Sequence, residues 1–247
     1  MLVHKASGIF SGKKALVVGG TGGIGRAVAL GLAERGAQVT VHGGSSLKRL
    51  DDTVAALRAM GGEGDGFLLS IDGPEAAEQI LSHCANPDIL TCAWGPFKQG
   101  SLENLDREFW QKITENNLIF PGILVSLVIS GMIERNWGRI LLFGGTNTDN
   151  IRGFTTTAAY SAAKTALGVI AKSVVKIAGS RGVTCNVVCP GLTDTEYTPE
   201  EQRCYNREKS PGNRPLKPEQ VAQAALAILE NPGFNGVVAP VDQGIIL

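Results

Sequence analysis

The chain has 247 residues, with 23 Lys+Arg against 23 Asp+Glu, 43% hydrophobic and 19% charged residues. That apolar content is enough to bury a core, which excludes a disordered chain. A zero net charge argues against a general nucleic-acid binder, because neutralising phosphates takes clustered cations. The 32 glycines are nearly twice the usual share of about 7%, and no Gly-X-Y period explains them. Tight turns and close backbone approaches must account for the excess.

Apolar runs of strand length alternate along the chain with segments of helical period. Residues 13–18 read as a continuous apolar strand. Residues 24–35 then place Ala27, Val28, Leu32 and Ala33 on one helical stripe. A second strand at 39–42 leads to a helix over 47–60 that ends in Gly61-Gly62, a C-cap signal. A third strand spans 67–71, and Pro74 is placed to open a short helix in its first turn. The fourth strand is 88–92. Two helices are predicted next, over 106–116 and 118–134, followed by a strand at 139–143, a long helix around 157–179 and a strand at 183–188. A polar stretch over 194–216 precedes a helix at 218–230, and a strand at 237–241 comes last.

Short, fully apolar strands separated by helices imply a parallel sheet covered on both faces. The expectation is one α/β domain over 1–247, a doubly wound Rossmann-type sheet of about seven strands, with no linker or repeat. The longest uncharged stretch, 116–133, is broken by Pro121, Gly122 and Ser126 and reads as a buried helix rather than a membrane span. The first residues lack an apolar signal core. Five cysteines, an odd number without paired-ligand spacing, suggest reduced thiols in a cytoplasmic protein. His83 and Cys84 are sequence neighbours on different sides of a helix, so no metal site is expected.

The first strand runs through Val18-Gly19-Gly20-Thr21-Gly22-Gly23-Ile24-Gly25 straight into a helix. Glycines there let the chain turn tightly, let backbone N–H groups approach a pyrophosphate, and let the helix pack closely on the sheet. The helix N-terminus then faces the phosphates. A nucleotide triphosphatase loop is excluded, because no Gly-Lys-Ser/Thr follows. The acidic residue expected about 20 positions on, which would hold a ribose 2′-OH, is missing. The second strand ends instead in His42-Gly43-Gly44-Ser45-Ser46, and the next carboxylate is Asp51. A small, donor-rich loop around Gly44 and Ser45 without negative charge favours NADP(H) over NAD(H). Lys48 and Arg49 are candidates for the extra phosphate, or plain solvated helix residues.

Tyr160-Ser161-Ala162-Ala163-Lys164 stacks a phenol and an ammonium on one helical face at the start of the long helix. With the glycine turn and Pro190-Gly191, this pattern resembles the short-chain dehydrogenase/reductase family from about Gly12 to Gly244, nearly the whole chain. Gly19, Gly23 and Gly25 match that family's Gly-x-x-x-Gly-x-Gly fingerprint, and Asn117-Leu118 its helix-borne Asn. Pro190 to Thr195 matches its Pro-Gly-x-x-x-Thr nicotinamide segment. Asn235-Gly236 and Val241-Asp242-Gln243-Gly244 resemble its C-terminal signature. Within the family, the pattern is similar to bacterial 3-oxoacyl-carrier-protein reductases.

The resemblance implies hydride transfer between NADP(H) and a ketone or secondary alcohol, with a 3-oxoacyl thioester as one candidate substrate. Tyr160 would be the general acid/base, Lys164 would lower its pKa and hold the nicotinamide ribose, and Asn117 would hold a water linking Lys164 to solvent. Cofactor contacts would come from Gly19, Gly23, Ile24, Gly25, Ala93, Gly95, Pro190, Gly191 and Thr195, with Tyr160 and Lys164. Residues 194–216, with Pro199, Pro211, Pro215 and mixed charges, would form a substrate lid. The uncharged helix and the apolar end Ile245-Ile246-Leu247 suggest subunit packing, and the family is commonly tetrameric. Arg135 and Arg181 are candidates for docking an acyl carrier protein.

The sequence departs from the family at three places. The fingerprint Thr is Val18. The Asn-Asn-Ala-Gly segment is Cys92-Ala93-Trp94-Gly95, with Trp94 a candidate wall of the cofactor pocket. The catalytic Ser has no clear counterpart: one count puts Gly145 there, another Asn147. Thr146, Asn147 or Thr148 could present a donor to a carbonyl, and Thr146 is preferred. These departures leave an alternative, a nucleotide-binding regulator or scaffold with weak or no catalysis. A sugar-nucleotide epimerase is disfavoured, because few residues follow Thr195 to build a substrate domain.

Overall fold

The computed structural model describes residues 8–61 and 64–245. Its strands are β1 (Lys14–Val18), β2 (Gln38–Gly43), β3 (Asp65–Leu68), β4 (Ile89–Cys92), β5 (Gly138–Phe143), β6 (Val183–Pro190) and β7 (Val238–Val241). All pair in parallel, in the order β3-β2-β1-β4-β5-β6-β7. Every residue of β4 and β5 is buried, so their sequences are mostly apolar rather than alternating, with Thr91 and Arg139 the polar exceptions.

The helices are α1 (Gly23–Glu34), α2 (Leu47–Ala59), α3 (Ala76–Ser82), α4 (Arg107–Thr114), α5 (Phe120–Glu134), α6 (Ala158–Ala178), α7 (Glu200–Lys209) and α8 (Pro218–Glu230). Side chains of α1, α2 and α8 form a core with Val17, Val41 and Leu141 on one face of the sheet. Those of α3, α5 and α6 form another with Leu16, Leu90 and Leu142. Each fully buried Leu or Ile in these layers contributes roughly 1.5–3 kcal/mol of apolar transfer, so the central strands anchor the fold.

The structure revises several predicted elements. Gly61 ends α2 in the left-handed region at φ +78°, as a C-cap glycine does, while Gly62 lies outside the described residues. Ile246 and Leu247 lie outside them too. Pro74 does not open α3, which starts two residues later; its carbonyl instead accepts from Ala77 N–H. The third strand sits two residues earlier than predicted, at 65–68.

The two helices predicted over 106–134 are one rod, α4 and α5 joined by a π-helical turn at Glu115–Ile119. Pro121 lacks the N–H that would bond the carbonyl of residue 117, and the helix widens just before it. Asn116 and Asn117 fill the widened turn by donating back to the Lys112 and Ile113 carbonyls, at 2.8 and 3.1 Å. The rod, Arg107–Glu134, is long and apolar enough to cross a membrane by composition, but half of its most apolar window is buried. Leu124, Val128 and Met132 of α5 belong to the core on that face.

Finally, the stretch 194–216 contains α7, which a hydrophobic period could not reveal because the helix is polar all round. Its signals are electrostatic: Glu200 and Glu201 in the first turn, Arg207 and Lys209 in the last, matching the helix dipole.

Candidate active site

β1 has β2 on one side and β4 on the other, so the loops leaving their C-terminal ends diverge and open a crevice. The loops after β5 and β6 reach the same edge. The turn after β1 is held by contacts that admit no larger residue. Gly19 adopts φ +75°, and a side chain there would press on the Ala93 carbonyl at 3.1 Å. A side chain at Gly25 would run into the Gly19 carbonyl and meet Ala93 Cβ at 3.1 Å. Gly19 N–H donates to His42 Nδ1 (3.3 Å), and His42 Nε2 lies 2.9 Å from the Leu69 carbonyl. That pairing requires the neutral tautomer with its proton on Nε2, and burial lowers the His42 pKa in the same direction.

The N-terminus of α1 is built to receive an anion. Gly22 at its N-cap offers no side-chain bond, and the first turn carries no acidic residue. The orphan N–H groups are open to an outside acceptor. Here Glu196 supplies one: Gly23 N–H donates to its carboxylate at 3.0 and 3.2 Å. Thr195 brings its methyl against Gly23, and the Tyr197 ring lies 4.3 Å from the Arg49 guanidinium. Beside the turn opens a cleft of about 620 Å³ whose lining includes Thr21, Arg26, Arg49, Asp52 and Glu196; Tyr160 and Lys164 do not line it.

A second cluster gathers around the first turns of α6. Lys164 Nζ lies 5.8 Å from the centre of the Tyr160 ring. A side chain at Gly95 would fall 2.8 Å from Lys164 Nζ and collide with Asn117 Oδ1, so these two groups converge on one point of bare backbone. Asn117 Nδ2 donates to the Pro96 carbonyl (3.0 Å) and to Ile113, whereas its buried Oδ1 has no hydrogen-bond partner among the described residues. A side chain at Gly145 would reach within 3.0 Å of the Tyr160 hydroxyl. Burial, with the Cys189 thiol nearby, pushes the Tyr160 phenol well above its ordinary pKa. Burial pulls Lys164 down to about 8, so the ammonium stays mostly protonated at pH 7.

The loop after β5 turns tightly at Gly145–Thr148, with Asn147 in the left-handed region at φ +60°. Thr148 is locked inside it: its hydroxyl donates to the Gly145 carbonyl (2.9 Å) and accepts from Gly145 N–H (2.8 Å). Asn147 Oδ1 accepts from Arg152 at 3.2 Å. The Thr146 hydroxyl donates to the Pro190 carbonyl at 3.1 Å, tying this loop to the one after β6.

The match to known proteins agrees with this geometry. Residues 13–205 fit the family model described as short chain dehydrogenase. The chain belongs to the short-chain dehydrogenase/reductase family. It is 34% identical over 230 residues to the 3-oxoacyl-[acyl-carrier-protein] reductase FabG of Vibrio cholerae, covering 90% of this chain and 91% of that one. The FabG of Escherichia coli K12 is 32% identical, covering 96% and 99%. An actinorhodin polyketide ketoreductase variant solved with NADPH superimposes with a TM-score of 0.81 at 26% identity, covering 97% and 98%. As a member of this family the protein is an oxidoreductase acting on C=O and CH–OH groups with a nicotinamide cofactor.

The chain's own residues fit such a dinucleotide. A carboxylate already sits where α1 would meet phosphate, and bare glycine backbone lies beside Lys164 and the orphaned Asn117 oxygen. Of the residues singled out in this short-chain dehydrogenase, the structure brings Tyr160, Lys164, Asn117 and Gly95 together. Gly19, Gly23, Gly25, Ala93 and Thr195 gather at the turn. Pro190 joins Thr146, Gly191 lies against Asp242, and Ile24 packs on the core. Gly44 and Ser45 are exposed after β2, with open space around Gly44. Lys48 pairs with Asp52 at 3.1 Å, while Arg49 lines the cleft beside the turn with Arg26.

Trp94 sets its ring edge-on to Phe120 at 5.4 Å. Arg135 is tied to Asp88 (3.4 Å) and the Pro87 carbonyl, while Arg181 is exposed.

Sequence reading missed three residues. Phe97, 57% exposed, stands perpendicular to the Tyr160 ring at 5.0 Å and walls the approach to the phenol. His42 supports the turn, and Glu196 covers it. Only His42 left a trace, as a histidine ending a buried strand.

Proposed function

We propose that this protein reduces a ketone to a secondary alcohol with NADPH, a 3-oxoacyl thioester being the substrate class suggested by the names of its V. cholerae and E. coli relatives. The observation that carries this reading is the convergence of Tyr160, Lys164 and Asn117 beside Gly95, at the switch point of the sheet. When bound, the cofactor supplies the hydride. The protein supplies position and the proton. Tyr160, kept protonated by its surroundings, donates its hydroxyl proton to the carbonyl oxygen. The Lys164 ammonium stabilises the phenolate left behind and passes it a proton, a water oriented by Asn117 Oδ1 then reprotonates Lys164, and the same ammonium would hold the nicotinamide ribose. Burial raises the cost of forming the phenolate, and the adjacent Lys164 ammonium offsets that cost as the negative charge develops. A nucleotide-binding scaffold would need none of this cluster.

Selectivity for NADPH is supported by the absence of a carboxylate at the end of β2 and by Arg49 and Arg26 lining the cleft beside the turn. The test is initial rates with NADPH and NADH on a ketone panel that includes an acetoacetyl thioester. The expected result is faster turnover with NADPH; a clear preference for NADH, or no reduction of any ketone, overturns the reading.

In place of the family's Ser, Thr146 is assigned the second donor to the carbonyl. It is half-buried between the β5 and β6 loops, and turning its hydroxyl away from the Pro190 carbonyl frees the proton. Thr146→Ala is expected to lower kcat about 10²–10³-fold, as loss of an oxyanion donor does. An unchanged kcat moves the role to Asn147, since Thr148 is committed within its turn.

Residues 194–216, with α7, act as the lid of a single 1–247 domain. The exposed apolar groove between α5 and α6, including Ile119, Ile123, Val169 and Ile177, fits a helix-paired homotetramer. Arg181 remains open to an acidic carrier protein. The free thiols, four of them buried, suit a reducing cytoplasm.

A further inference from the structure

The loop after β6 puts a carboxylate where a bound dinucleotide puts its phosphates. Both Glu196 oxygens face Gly23 N–H at the uncapped start of α1, and a methyl group at Gly22 would collide with the Glu196 carboxylate and the Tyr197 hydroxyl. The Tyr197 ring is also seated on Arg49, the cation of α2 nearest the turn. This loop is braced from behind. Arg203 of α7 donates to the Asp194 carboxylate (2.9 Å), the Thr195 carbonyl (2.9 Å) and the Thr198 carbonyl (3.1 Å), so Glu196 and Tyr197 are held out by a stiffened backbone. Two contacts, a backbone hydrogen bond to the Glu196 carboxylate and a cation–π contact of Tyr197 with Arg49, thus fasten the 194–216 segment across the glycine turn.

We propose that Glu196 and Tyr197 form a latch that closes this segment over the phosphate turn of the cofactor-free protein, and that a dinucleotide must displace Glu196 to bind. The inference rests on the reading of the turn as a pyrophosphate cradle. The Gly23 N–H cannot serve two anions at once, so the apparent cofactor affinity is the intrinsic affinity multiplied by the unlatched fraction of molecules. Linkage makes the effect reciprocal: phosphate on the turn frees the segment. Release of Tyr197 also uncovers the Arg49 guanidinium, which lines the same cleft as Arg26. Cofactor arrival and lid opening become one event.

The full-length protein tests this without any turnover. Trypsin can cut the segment after Arg203, Arg207 and Lys209. Inorganic pyrophosphate is expected to speed that cleavage in the parent protein. Glu196→Ala is expected to be cut about threefold to tenfold faster with no ligand present, and to bind NADPH about threefold to tenfold tighter by fluorescence titration, the range expected for a partly exposed anion at a helix N-terminus. Tyr197→Ala should fall between the two. Cleavage of unliganded Glu196→Ala at the parent rate, or an unchanged NADPH affinity in that variant, overturns the latch. If no form of the protein binds NADPH, the dinucleotide reading fails instead, and the cleavage rate of the unliganded variant still judges the latch.

Discussion

Tyr160→Phe is expected to lower kcat by about 10²–10⁴-fold, the contribution of a positioned general acid, while leaving NADPH affinity within about twofold of the parent. The substitution removes one oxygen and keeps the ring, so the perpendicular packing of Phe97 and the close approach of Gly145 survive. The lost oxygen is the only phenolic one beside Lys164 among the described residues; Tyr197 and Tyr205 lie on the 194–216 segment. In the protein without cofactor the phenol's pKa is raised by burial, so it rests protonated, and giving up the proton depends on the neighbouring Lys164 ammonium. The adjacent ammonium lowers the cost only as the phenolate forms, so its help falls on the transition state rather than on substrate binding. Steady-state rates with a ketone, together with an NADPH fluorescence titration, separate the two effects. Parent-like turnover would remove Tyr160 from the chemistry.

Gly25→Ala should be a severely damaging single methyl at the glycine turn. The added carbon runs into the Gly19 carbonyl and crowds Ala93, so the obstruction is backbone and no rotamer change relieves it. Either α1 moves away from the sheet or the turn opens, and both spoil the alignment of N–H groups on a pyrophosphate. Overpacking of this kind costs about 1–3 kcal/mol, equivalent to a Tm lower by roughly 2–12 °C for a chain of this size. Dinucleotide affinity should fall by more than tenfold. Gly44→Ala serves as the control, because nothing surrounds that position and its backbone is unrestricted. Its Tm should match the parent's, and equal Tm losses in the two variants would refute the steric account.

Much of this was legible in the sequence because the signals were local. Buried parallel strands announce themselves as unbroken apolar runs, and the order of strand, glycine turn and helix at the first crossover carries its own geometry. Tyr160 and Lys164 share a helix, so their meeting follows from a four-residue spacing. What stayed hidden was either polar or distant. The helix α7 has no apolar stripe, and the rod 107–134 looked like two helices because Pro121 suggests a start where the chain only widens. The Glu196–Gly23 contact joins residues far apart in sequence, and no spacing rule connects them. Gly145 was visible as a missing Ser, yet only the fold shows that its bare Cα lies against the phenol.

The imidazole of His42 has a wider consequence. It is clasped at one nitrogen by the first glycine of the turn and at the other by the Leu69 carbonyl, just past the end of β3, the outermost strand of the sheet. The rim of the molecule is therefore wired to the glycine turn through one uncharged ring. Substitutions along β3, far from any reacting atom, would be felt as a loosened grip on the dinucleotide, and acidifying the medium would strain the same joint by offering the ring a second proton that its glycine partner cannot accept.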